Sequence, residues 1–375
     1  VEAVTSKKMR SVVLTSAVVL AALTVASDVR AGDRPPRPVE RRPVDSIHVS
    51  ADGKHVAAIV MTSSKENAKV RLVDAETSKE VVVLAPFPTL VDAGFINAGR
   101  SLVLSGYRTD DAAKKVDRFT CVFRLEDGAD LCRPKDGTTA AGFAEIANGA
   151  VDASPDGEEL SSVVDEGKAV EVRRADTGAT KVKVRLSELL GSVASMDVRG
   201  DFLVTLRDGT LARVARADGK VVWRAEAPRC GDDTTPSPGD RVPGRPQAFT
   251  TKAWVTSIGT RAVVEWQEKE EWDKGIWEQT IVVAYDWKDG REVWRRRPDD
   301  QDMDEVFFAA KRDVVGFVHG RTAVVVRADS GEVAGRLRLE HEPMCIDFGA
   351  SSDVGWGGTI GGMIFPVDLG DMKTE

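Results

Sequence analysis

The chain has 375 residues, 42% of them apolar and 30% charged, with a formal net charge of −8. That balance excludes a disordered chain and a membrane-embedded one, and the length allows two ordinary domains or one large repeat fold. Residues 1–31 carry a net +2 and the rest −10, so the acidic body gives no electrostatic reason to bind nucleic acid or anionic lipid.

Taken from the start, Lys7, Lys8 and Arg10 precede an apolar run over residues 11–26, and Val29-Arg30-Ala31 offers small residues where a signal peptidase reads. This is a signal-peptide layout with cleavage after Ala31. The run includes Ser11, Thr15, Ser16 and Thr24 and falls short of the roughly 20 apolar residues a membrane anchor needs. No cysteine follows it directly, which argues against a lipid anchor. Residues 1–31 are therefore expected to be a signal peptide, 32–43 a Pro/Arg-rich extended spacer, and 44–375 the folded domain. The mature protein is expected in the periplasm or outside the cell, with no stable membrane insertion.

The folded part repeats one unit, clearest over residues 281–294. An apolar run enters the turn Trp287-Lys288-Asp289-Gly290, and a second run leaves towards Trp294. Such a pattern is a β-hairpin. Copies of the turn lie at Asp74-Ala75-Glu76-Thr77, Glu126-Asp127-Gly128, Ala175-Asp176-Thr177-Gly178, Ala217-Asp218-Gly219-Lys220, Ala328-Asp329-Ser330-Gly331 and Asp368-Leu369-Gly370. Each is preceded by a second tight turn, such as Ser50-Ala51-Asp52-Gly53 or Ser154-Pro155-Asp156-Gly157. Short strands in fours, repeated at this spacing, predict an all-β fold: a β-propeller of four-stranded blades, seven by the count of turns, with six or eight also compatible. Strands A to D run outward in each blade. Long helical patterns between strands are missing, which excludes a parallel α/β fold, and stacked β-sandwiches would not need one turn seven times.

Residues 217–223 and 286–294 resemble the repeat of PQQ-like propellers, in which Ala-x-Asp-x-x-Thr-Gly-x-x-x-Trp closes each blade; residues 175–178 and 328–331 keep the turn without the tryptophan. Similarity to WD40 propellers is weaker, because the Trp272-Asp273 pair sits in a charged insertion. The resemblance implies a scaffold and leaves activity open. Propellers resembling this one often close the last blade with an N-terminal strand, for which residues 41–44 are a candidate. The resemblance also raises a quinoprotein dehydrogenase. Such enzymes commonly pair adjacent cysteines and hold calcium, and neither a Cys-Cys pair nor a convincing calcium set is present, so no cofactor is expected.

The long connections are all of one kind. Residues 107–116 and 267–277 join B to C, while 133–147, 228–248 and 297–303 join D to the next A. All five are expected to rise from one face, where loops on a rigid scaffold carry function. Three meet at the fifth unit, which holds six of the eight tryptophans. Trp266, Trp272 and Trp277, with Arg241 and Arg245 of the preceding loop, are the expected binding residues, since tryptophan amid charge is a typical partner anchor. Packing of the tryptophans onto their own blade is the alternative.

Cys121 and Cys132 flank the second hairpin, and in an oxidising compartment are expected to form a disulfide, with two buried thiols as the alternative. Cys230 and Cys345 leave a second bridge open. The carboxylates at 300–305 alternate as in a calcium loop but lack its glycine and final glutamate, so no metal is expected. His48, His55, His319 and His341 are dispersed, and no nucleophile elbow, Walker loop or dinucleotide fingerprint occurs. The sequence thus leads to a non-catalytic exported scaffold that binds a protein or extracellular ligand through its B–C/D–A face. The alternative is an exported hydrolase or lyase with its site at the channel mouth.

Overall fold

The computed structural model describes residues 42–373 apart from 61–68, 78, 85–88, 111–114, 127–130, 133–151, 155, 197–199, 208, 229–246, 257–258, 273–274 and 297–304. The signal-peptide segment and the spacer up to residue 41 therefore lie outside the described residues. The rest is almost wholly antiparallel sheet, with three single-turn 3-10 helices at Asp165–Gly167, Ala310–Arg312 and Leu369–Asp371. Among the described residues no helix is long and apolar enough to cross a membrane.

Among the described residues seven sheets follow in chain order. The first is β1 (Val44–Val49), β2 (His55–Val60), β3 (Lys69–Asp74) and β4 (Glu80–Leu84), and the second is β5 (Thr89–Ile96), β6 (Ser101–Asp110) and β7 (Lys115–Arg124). The third holds β8 (Asp152–Ala153), β9 (Glu159–Val164), β10 (Ala169–Arg174) and β11 (Thr180–Arg185). The fourth is β12 (Leu190–Met196), β13 (Phe202–Leu206), β14 (Leu211–Val214) and β15 (Val221–Ala225). In the fifth are β16 (Gln247–Val255), β17 (Arg261–Trp272), β18 (Gly275–Asp286) and β19 (Glu292–Arg296). The sixth comprises β20 (Glu305–Ala309), β21 (Val314–His319), β22 (Thr322–Arg327) and β23 (Val333–Arg338), and the seventh β24 (Cys345–Phe348), β25 (Val354–Gly358) and β26 (Ile364–Asp368).

These strands read as apolar runs because both sides of each sheet are covered. Seven apolar clusters account for the packing, each filling the space between two consecutive sheets. Val264, Trp266, Ile281 and Val283 face the fourth sheet, while Val263, Val282 and Ala284 face the sixth. One cluster joins the last sheet to the first, through Val44, Ile47, Val56 and Cys345. Hydrogen bonds reinforce that contact: Val44 N–H donates to Thr359 O at 3.1 Å and Ser351 N–H to Ala51 O at 2.8 Å. Val49 N–H also donates to Asp347 Oδ2 at 2.7 Å.

The recurring turns have one geometry. Gly178, Gly219, Gly290 and Gly331 each take a positive φ of 67–74°, and each N–H returns to the carbonyl four residues back at 2.8–2.9 Å. Glycine adopts that backbone without steric cost. The inner turns of the first and third sheets match as well. Ser50 Oγ donates to Asp52 and Ser154 Oγ to Asp156, while His55 and Glu159 N–H groups donate back to the two serine oxygens at 2.9 Å.

The tryptophan that ends a unit docks onto the next unit's turn. Trp223 Nε1 donates to Trp287 O at 2.8 Å, and Trp294 Nε1 to Ala328 O at 2.9 Å. The indoles lie flat against Gly290 and Gly331, so a Cβ at those glycines would sit 2.6 and 2.8 Å from ring atoms. Arg213 adds to the first junction, stacking over Trp287 at 4.7 Å while pairing with Asp201 at 2.6 Å.

Several expectations are corrected. Val44 belongs to the innermost strand of the first sheet, because its side chain fills the cluster between the first and last sheets. Near the C-terminus, Lys373 bridges to Arg336 of β23. No disulfide joins Cys121 and Cys132. Cys121 packs with Leu102 and Leu104 against the first sheet, and Cys132 with Val103 and Val122 against the third, so the two thiols occupy opposite faces.

Candidate functional site

The segments expected as B–C loops are strands. β6 and β7 pair from Ser101↔Arg124 out to Asp110↔Lys115. β17 and β18 pair over 12 positions, from Arg261↔Asp286 to Trp272↔Gly275. The corresponding hairpins of the flanking sheets hold six pairs (β21–β22) and four (β13–β14). The fifth hairpin thus outruns its neighbours by six pairs or more, about 20 Å at a strand's rise per residue. The backbone register pairs Lys269 with Glu278, Arg108 with Asp117 and Asp110 with Lys115.

Side chains alternate between the two faces of a strand, so the register sorts the hairpin's residues. Trp266 and Ile281, opposite each other, face the fourth sheet.

Of the expected binding residues, Trp266 is 1% exposed and belongs to the core between the fourth and fifth sheets, which corrects its assignment. The cause is its register opposite Ile281, which puts it in the cluster shared with the fourth sheet. Trp272 and Trp277 are at the outer end of the same hairpin, in register with Gly275 and Glu270. Arg241, Arg245 and Cys230 lie outside the described residues, as do the connections 133–147 and 297–303. Trp287 is also core, Trp294 docks on the sixth sheet, and Trp254 packs 5.8 Å from Phe308.

A second cluster escaped the sequence reading. Lys252 of β16 forms an ion pair with Glu305 of β20, donates to Val306 O at 3.2 Å, and lies 4.0 Å from Glu265 of β17. Burial pushes Glu305 up to about 7 against the pull of Lys252, with Glu265 adding repulsion. Burial disfavours the Lys252 charge too, yet Glu305 and Glu265 together hold its ammonium above the ordinary value. Both directions follow from one cation shared by two carboxylates. On β24, burial raises the Asp347 carboxyl and takes the Cys345 thiol up to about 12, so Cys345 is no nucleophile at neutral pH. The available signal was a charge flanked by apolar strand residues, as in Val264-Glu265-Trp266 and Ile346-Asp347-Phe348. Glu305, the last carboxylate of the alternating run, is committed to Lys252. Among the described residues no group of three or more His, Cys, Asp or Glu is placed to hold a metal ion.

No family model matches the chain, and no curated protein is similar to it in sequence. Solved structures are similar in fold. Hydrazine synthase of Kuenenia stuttgartiensis aligns with a TM-score of 0.55 at 12% identity, over 89% of this chain and 97% of that one. The Cps50 (Swd1) β-propeller domain of Myceliophteria thermophila aligns with a TM-score of 0.56 at 11% identity, over 88% and 98%. At such identities the likeness establishes architecture alone: the chain is an all-β protein with a propeller fold.

Proposed function

We propose that the protein is an exported, non-catalytic β-propeller of seven blades, built from PQQ-like repeats, that binds a protein or extracellular ligand through the face bearing its long hairpins. The observation that carries this reading is the β17–β18 hairpin, which continues six pairs or more past the hairpins of the flanking sheets, through the stretch whose sequence holds Trp272 and Trp277 amid charged residues. Seven clusters between seven sheets support the blade count, and tryptophan docking at Gly290 and Gly331 supports the repeat type. Export rests on the layout of residues 1–31.

The test is a shortened hairpin in which Asn-Gly replaces residues 267–280, leaving the Trp266↔Ile281 pair to close the turn. The variant is expected to melt within a few degrees of the parent and to lose what the mature parent captures from its native envelope or medium. Equal capture by both proteins would remove the basis of the proposal.

Chemistry at the channel mouth is a second reading, favoured by the Lys252–Glu305 pair and a carboxyl that titrates near neutrality. Under that reading Glu305→Gln abolishes turnover found in a screen of ester, glycoside and polyuronide substrates. Under the scaffold reading the screen yields no turnover, and capture by Glu305→Gln is unchanged.

A further inference from the structure

The tryptophans that close the fourth and fifth sheets define a slot. Trp223 and Trp294 each stand four residues after a turn glycine, Gly219 and Gly290. Each indole lies against the next unit's turn glycine and donates its N–H to Trp287 O or Ala328 O. On the sixth sheet the same position, four residues after Gly331, is Gly335. The register agrees, since Trp294 pairs with Ala284 of β18 and Gly335 with Val325 of β22. Ala284 belongs to the cluster between the fifth and sixth sheets, and Val325 to the one between the sixth and seventh. The sixth sheet therefore reaches this junction without a ring to close it.

Residues 369–373 take that place. Leu369 is the counterpart of Trp287 and Ala328, because the three N–H groups donate to the equivalent carbonyls of Asp353, Thr260 and Asp313. Where Trp287 O and Ala328 O accept an indole N–H, Leu369 O accepts the Met372 N–H at 3.3 Å, beside Arg312 Nη1 at 3.3 Å. The Met372 side chain packs against the cluster between the sixth and seventh sheets. Lys373 then exchanges two backbone hydrogen bonds with Arg336 of β23, each of 3.0 Å. A Cβ on Gly335 would lie 2.8 Å from Met372 Cγ and 2.5 Å from Lys373 O. A large side chain at 335 and this segment thus exclude each other.

We propose that residues 371–373 form a displaceable strap across a slot that fits a tryptophan side chain. Met372 is its resident occupant and stands in for the indole, while Lys373 fastens the strap to β23. A thioether chain is more flexible than an indole. Met372 is only half-buried, and Asp371 and Lys373 are exposed. So few buried contacts put the opening of the strap at the low end of local unfolding energies. Once lifted, it bares the Leu369 carbonyl and the Gly335 backbone, the two features that an indole meets at the other junctions.

A cycle of variants and native-state hydrogen exchange test this. Deleting residues 372–375 should lower the melting temperature by about 2–5 °C. Gly335→Trp should restore half of that loss or more in the shortened chain, because the new ring can dock as Trp223 and Trp294 do. In the full chain Gly335→Trp has to evict Met372 first, so it should gain nothing or lower the melting temperature. Should the deletion prevent folding, Met372→Ala takes its place, and Gly335→Trp is expected to help that variant more than the parent. In the full chain the amides of Arg336, Met372 and Lys373 should exchange about tenfold or more faster than those of β22. Equal effects of Gly335→Trp with and without the strap would overturn the slot. Exchange of the strap amides as slow as that of β22 would overturn its displacement.

Discussion

Alanine at Gly290 should lower the unfolding free energy by about 3–5 kcal/mol, and alanine at Gly209 by only about 1–2 kcal/mol. Both glycines have a positive φ, 74° and 86°, so both substitutions strain the backbone. They differ in what a Cβ meets. At Gly209 nothing lies within 4 Å, whereas at Gly290 the Trp223 ring is 2.6 Å away. Trp223 cannot easily retreat, because it is 6% exposed and its N–H is held by Trp287 O. Gly219→Ala belongs with the severe class, since its Cβ would fall 1.8 Å from the Arg185 backbone oxygen. Urea unfolding of the three variants checks the order. Trp223→Ala should cost markedly less in the Gly290→Ala background than in the parent, because the two changes disrupt one contact. Equal losses at Gly209 and Gly290 would mean that backbone strain alone is at work and the docking contributes little.

Removing the Lys252 charge should cost about 3–5 kcal/mol at pH 8 and clearly less at pH 5. Lys252→Met leaves Glu305 and Glu265 enclosed together, with Cys345 and Asp347 nearby. Glu305 holds its proton more tightly folded than unfolded, about 7 against an ordinary 4.5. Its contribution to stability is therefore fully present below 4.5 and is lost as pH rises through about 7. At pH 5 the variant's Glu305 keeps its proton and needs no cation; at pH 8 ionising it costs the variant more than the parent, because Lys252 no longer offsets its burial. Unfolding at the two pH values measures the difference. A loss independent of pH would assign Lys252 a packing role only.

The sequence reading located the sheets because each depends on local chemistry. A turn glycine with positive φ and an apolar run on either side can be recognised residue by residue, as at Ala328-Asp329-Ser330-Gly331. Gln267-Glu268-Lys269-Glu270-Glu271 has no apolar alternation, so nothing local marks the hairpin at 267–277 as strand. Its pairing, Lys269↔Glu278 among others, is visible only once the partner strand is known. Nothing local marks Trp266 as core either; its burial comes from the fourth sheet packed against it. The Cys121–Cys132 bridge failed for a related reason, since which face of β7 meets which neighbour is decided by sheet-on-sheet packing. The Lys252–Glu305–Glu265 cluster joins strands from two sheets, so no spacing in the chain announces it.

Hydrogen exchange followed by mass spectrometry, with and without the partner captured from the native envelope or medium, tests the central claim most directly. The account predicts slowed exchange confined to residues 268–280 of β17 and β18, with the short turns on the far face unchanged. Protection at those far turns instead, with the hairpin exchanging as fast as before, would contradict it.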